Sequence, residues 1–92
     1  MGGVTVTLLG ALAAVAGACE TGVEASTLGQ ALEALSAKYG EEFSARLYEA
    51  PGRPRRFINI YVDGRDYRYM DRLDTALRGG ETITLIPAVS GG

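Results

Sequence analysis

Phe57-Ile58-Asn59-Ile60-Tyr61-Val62-Asp63-Gly64 is the stretch on which the fold turns. Ile58, Ile60 and Val62 alternate with Phe57, Asn59 and Tyr61, the two-residue period of a strand. Asp63-Gly64 closes it with a dipeptide favoured in tight hairpin turns. The aliphatic face belongs in a core. The opposite face carries two aromatic residues around an asparagine, so one side of the sheet is expected to stay open.

Downstream, residues 65–69 read as a short return strand and residues 71–77 as a turn-rich crossover with Leu73 and Leu77 inward. Gly79-Gly80 then turns the chain into a last strand over residues 81–86. Ile83 and Leu85 face inward there, and Thr82, Thr84 and Ile86 join the open face. Upstream, Pro51-Gly52-Arg53-Pro54-Arg55-Arg56 reads as a loop. Thr27 with Gln30 three residues on fits a capping box. Leu28, Ala31, Leu32, Leu35 and Tyr39 follow as one apolar helical stripe, stopped by Gly40. A second, short helix over residues 41–48 offers only Phe43 and Leu47 at i, i+4 spacing and is expected at the periphery. Val4, Val6 and Leu8 mark a first strand. Residues 10–17 suggest a short helical turn. Cys19, Thr21, Val23 and Ala25 mark a second strand that turns Cys19 inward and Glu20 and Glu24 to water.

The order is β-β-α-β-(β)-β. A single main helix covers only one face of a four- or five-stranded sheet, which leaves the other wet or available to a partner. A central first strand with the last strand parallel to it is the β-grasp, or ubiquitin-like, arrangement of an α+β protein. The expected division is a β-grasp domain over residues 1–87 and a flexible tail over residues 88–92.

Composition narrows the chemistry. Ninety-two residues supply one modest core, and 47% hydrophobic content argues against disorder. Histidine, the commonest general base and metal ligand, is absent. One cysteine forms no internal disulfide, in keeping with a reducing, cytoplasmic setting. Seven of the eight arginines lie between residues 53 and 78, but Asp63, Asp66, Asp71 and Asp74 interleave with them. That pattern is a solvated surface rather than a nucleic-acid footprint. Residues 8–19 imitate a signal-peptide core, yet no Lys or Arg precedes Lys38, and the run is too short to span a bilayer. Neither secretion nor membrane insertion is expected.

The last strand runs into Pro87-Ala88-Val89-Ser90-Gly91-Gly92, an apolar segment ending in two glycines and an α-carboxylate. Three stretches together resemble the MoaD/ThiS group of ubiquitin-like sulfur carriers. They are residues 57–66, residues 73–83 and residues 86–92, with weaker support from residues 10–17 and the helix after Thr27. Members of that group often carry Arg-Glu where Ala13-Ala14 stand, and Gly-Asp where Gly79-Gly80 stand. Both departures bear on the branch rather than on the terminus.

The resemblance implies that an E1-like adenylyltransferase activates the Gly92 carboxylate with ATP and that a sulfur donor then displaces AMP, leaving a thiocarboxylate. A free carboxylate is a poor electrophile, so this activation must come first. Gly91 and Gly92, lacking Cβ atoms, suit a narrow channel. Residues 88–92 extended reach roughly 17 Å at about 3.4 Å each. The carrier is then a co-substrate with no catalytic side chain, no metal and no bound cofactor. It is expected to be a monomer that docks its partners through Phe57, Tyr61 and Ile86, with Pro87, Ala88, Val89 and Ser90 leading to the terminus. The sulfur-accepting enzyme belongs to the cysteine, molybdopterin, thiazole or a specialised metabolite route, the cysteine branch being favoured. The alternatives are the small subunit of molybdopterin synthase and a protein modifier. Lys38 is the only lysine available for self-linkage.

Overall fold

The computed structural model describes residues 3–87. Strand β1 (Gly3–Leu8) pairs antiparallel with β2 (Glu20–Glu24) and parallel with β7 (Thr82–Pro87). Strand β7 also pairs antiparallel with β5 (Ile58–Val62), which continues into the two-residue β6 (Arg65–Asp66). The sheet order is β2-β1-β7-β5-β6, so β1 and β7 are central, as the alternation of both strands requires. Three helices lie between the strands in sequence: α1 (Gly10–Ala16), α2 (Leu28–Tyr39) and α3 (Glu41–Leu47). This is the expected α+β, β-grasp architecture.

Strand parity sorts the side chains. Val4, Val6, Leu8, Ile58, Ile60, Val62, Ile83 and Leu85 are all buried on one face. Against them pack Leu28, Ala31, Leu32 and Leu35 of α2, the stripe set by 3.6-residue periodicity. Thr27 caps α2 by accepting the Gln30 N–H at 3.2 Å. The return bond reaches one residue further back than a capping box requires, from the Ser26 N–H to Gln30 Oε1 at 2.9 Å. The β5–β6 turn has positive φ at both Asp63 (52°) and Gly64 (85°), as its two-residue loop demands. Asp63 Oδ1 accepts the Thr82 N–H at 2.9 Å and ties that turn to the start of β7. The crossover is two short 3-10 turns, Tyr67–Tyr69 and Arg72–Asp74, and is pinned to α2 where the Leu28 N–H donates to the Thr75 carbonyl at 3.0 Å.

Four expectations need correction. The short helix α3 is not peripheral: Phe43 and Leu47 are fully buried, and the Phe43 ring lies 5.3 Å from that of Tyr39. Two apolar residues are enough for a helix of seven, because each of its two turns presents one side chain to the core. Cys19 is exposed. It sits in the bend before β2, an edge strand whose own inward residues, Thr21 and Val23, are only half-buried. The arginine-rich loop contains a small hairpin, β3 (Tyr48–Ala50) against β4 (Arg53–Pro54). The return strand stops at Asp66, whose carboxylate accepts the Arg68 N–H at 2.9 Å and starts a 3-10 turn instead.

Candidate functional site: the root of the C-terminal tail

Strand β7 ends at Pro87, which stands opposite Ile58 of β5. Pairing with β5 to that point and with β1 as far as Leu85 fixes the position of Pro87 in the sheet. Of the expected site residues, Ala88, Val89, Ser90, Gly91 and Gly92 lie outside the described residues. Ile86 and Pro87 are half-buried at the strand's end. Gly10, the first residue of α1, has φ +58°, and a Cβ there would stand 3.1 Å from Pro87 Cγ. The root of the tail is therefore packed directly against the body.

The open face is largely polar. Thr5 and Thr7 of β1 stand in register with Thr82 and Thr84 of β7, and Asn59 stands beside Ile86. Arg68 organises the outer edge. Its guanidinium donates to Asp66 Oδ2 at 2.8 Å and Oδ1 at 3.1 Å, and to Asn59 Oδ1 at 3.0 Å. Those bonds lower the Asp66 pKa and raise that of Arg68. Apolar surface on this side gathers at the tail end, where Ile86 is joined by Leu9. That leucine is 41% exposed, and its N–H donates to the Leu85 carbonyl at 3.2 Å, carrying the β1–β7 pairing one residue past the strand. Sequence reading missed Leu9. The signal was available, since an apolar residue directly after an inward Leu8 breaks the alternation.

The docking set of Phe57, Tyr61 and Ile86 divides between two surfaces. Tyr61, in register with Thr84, belongs with Ile86 to the open face. Phe57 is 64% exposed and lies just outside β5, in a turn where the Ile58 N–H donates to the Arg55 carbonyl at 3.1 Å. Strand parity ends before it. Phe57 lines a groove of about 310 Å³ with Ala11, Ala45, Arg46, Arg55 and Pro87, on the helix side of the same root. Arg55 is committed to the fold: its Nε and Nη2 donate to the Ala45 carbonyl at 3.0 and 2.8 Å. Arg56 stacks over Phe57 with 6.0 Å between guanidinium carbon and ring centroid. The root thus has an apolar-tipped sheet side and an arginine-flanked helix side.

Among the described residues, no group of three or more His, Cys, Asp or Glu side chains is placed to hold a metal. No helix among them is long and apolar enough to cross a membrane.

The ThiS family model matches residues 6–92, nearly the whole chain and its terminal Gly91-Gly92. The chain belongs to the ThiS family. Sulfur carrier protein CysO of Mycobacterium tuberculosis is 43% identical over 68 residues, 72% of either protein. The crystal structure of that protein superposes with a TM-score of 0.81 at 33% identity, covering 94% of this chain and 99% of CysO. SAMP1 of Haloferax volcanii superposes at 0.85 with 30% identity, covering 99% of this chain and all of the other. A chain of the Amycolatopsis orientalis BexX/CysO complex superposes at 0.81 with 27% identity, covering 97% and 99% of the two chains. The ubiquitin-like β-grasp of this ThiS-family chain is thus shared along almost its full length with carrier and modifier proteins.

Proposed function

We propose that this chain is a sulfur carrier whose reactive group is the α-carboxylate of Gly92. The observation that carries the reading is a central strand, paired with β1 as far as Leu85 and with β5 as far as Pro87, followed by five residues ending in Gly-Gly, in a chain 43% identical to a sulfur carrier protein. The carboxylate oxygen attacks the α-phosphorus of ATP in an E1-like enzyme, releasing pyrophosphate and forming an acyl-adenylate. Sulfur from a donor attacks the carbonyl carbon and the bond to AMP breaks, leaving a thiocarboxylate. The chain acts as co-substrate; the partner enzyme holds the ATP. A biosynthetic enzyme of cysteine or another sulfur metabolite then takes the sulfur, in the cytoplasm. Ile86, Tyr61 and Leu9 supply the sheet-side contact, and the bare glycines thread the channel.

Intact mass after incubation with a cognate E1-like enzyme, ATP and sulfide tests this. The expected product has one oxygen replaced by sulfur, and it disappears when Gly92 is deleted. An unchanged mass with every donor tried would sink the reading. A second reading, protein modifier, is favoured by the likeness to SAMP1. Isopeptide adducts on target lysines, formed with ATP and without sulfide, would establish it.

A further inference from the structure

We propose that the helix-side groove seats the rim of the enzyme that adenylates Gly92, through an acidic segment with an apolar tip. This rests on the sulfur-carrier reading and adds a second surface by which the carrier body is held.

Position comes first. Pro87 is at once a wall of the groove and the residue from which the tail departs. Five residues separate it from the terminal carboxylate, a reach of roughly 17 Å at about 3.4 Å each. An active site that takes in that terminus must bring its mouth against the root. A mouth that encloses an extended chain meets the carrier on the helix side as well as on the sheet side.

The second observation is apolar exposure. Phe57, at the groove's lip, is 64% exposed and is one of only three exposed large hydrophobics among the described residues. Of the other two, Leu9 flanks the same root from the sheet side. A phenyl ring left in water beside a concave wall offers a large burial area to a partner.

Charge supplies the third. Arg56 lies against Phe57, and Arg46 lines the groove with only a solvent-exposed 3.7 Å pair to Glu42. The rim is positive, so a complementary rim is acidic.

The test compares the carrier with Phe57→Ser, with the double variant Arg46→Glu/Arg56→Glu, and with Arg65→Glu, a charge reversal in β6 opposite Val62, at the end of β5 far from Pro87. Each is first shown by its thermal melt to be folded. Initial rates of pyrophosphate release are then measured with the cognate E1-like enzyme, ATP and sulfide. Both groove variants should raise KM for the carrier at least about fivefold with little change in kcat. The wild-type KM should rise with salt, and the double variant should lose that dependence. Arg65→Glu should match wild type.

Unchanged KM in the groove variants, or an equal rise in Arg65→Glu, overturns the proposal while the carrier reading stands. So does an effect confined to the later sulfur-transfer step. A wild-type dimer abolished by Phe57→Ser would assign the face to a second copy and overturn it as well. Wild type without turnover overturns both readings together.

Discussion

Gly10→Ala and Gly17→Ala together measure how firmly the tail root is fixed to the body. Both glycines border α1 and both have positive φ, +58° and +72°. An alanine in the left-handed region costs about 1–2 kcal/mol at either position. The surroundings differ. Nothing lies within 4 Å of a Cβ at Gly17, whereas at Gly10 it meets Pro87 Cγ at 3.1 Å and Cδ at 3.8 Å. Comfortable carbon contacts begin near 3.5 Å, so α1 or Pro87 must give by roughly 0.4 Å. A proline ring cannot rotate out of the way, and Pro87 is held in register with Ile58. Overpacking of that kind adds about 1–3 kcal/mol. Urea denaturation should therefore show Gly17→Ala losing about 1–2 kcal/mol and Gly10→Ala about 2–5 kcal/mol, the sum of both costs. The same displacement deforms the surface that an activating enzyme meets, so KM for adenylation should rise in Gly10→Ala and not in Gly17→Ala. Equal stability losses would show that the Gly10–Pro87 contact constrains nothing. The tail would then be aimed by β7 alone.

Three further outcomes follow from the same geometry. Phe43→Ala removes a fully buried ring from the face of α3 and should cost about 3–5 kcal/mol in urea denaturation. A loss under about 1 kcal/mol would return α3 to the periphery. Glu81 accepts the Arg78 and Gly79 N–H groups, both at 2.8 Å, and these backbone bonds hold its carboxyl below the ordinary 4.5. Its folded pKa is thus depressed, so its contribution is present above the unfolded value and is lost as pH falls through the folded one. Stability measured between about pH 5 and pH 3 should decline less steeply in Glu81→Gln than in wild type, and parallel curves would refute the assignment. The exposed thiol of Cys19 should react with a thiol reagent in the native protein nearly as fast as in urea. Strong native protection would restore the inward orientation.

Strand alternation was most reliable where a strand is paired on both sides. In β1, β5 and β7 the neighbours fix the register, and a one-residue slip would turn the whole aliphatic set to solvent. The pattern of Ile58, Ile60 and Val62 therefore carried over to burial without exception. Alternation lost meaning one residue beyond a strand's end or at a sheet edge. Cys19 and Phe57 are those two cases. The first sits in a bend where the core thins out; the second sits in a turn closed by its neighbours' backbone. Helix α3 was misplaced for a different reason. An amphipathic stripe is a statistical signal that needs several turns, and α3 has two. Only its packing against Tyr39 of α2 and against α1 reveals that Phe43 and Leu47 are core.

The candidate site divides along the same line. The terminal Gly91-Gly92 is a local pattern, visible to anyone reading the last residues of the chain. The root is not local, because it joins the first residue of α1 to the last residue of β7 across more than seventy positions of sequence. A carrier needs opposite properties at these two places. The tip must have no side chains that would obstruct a channel, and the root must be fixed so that docking the body delivers the tip. Proline meets the second need at the end of β7: its φ is preset, and it lacks an N–H that another strand could recruit. Its ring also fills the space that the missing Cβ of Gly10 leaves. Glycine at position 10 thus leaves room for the Pro87 ring, a fit that neither residue discloses in its own stretch of sequence.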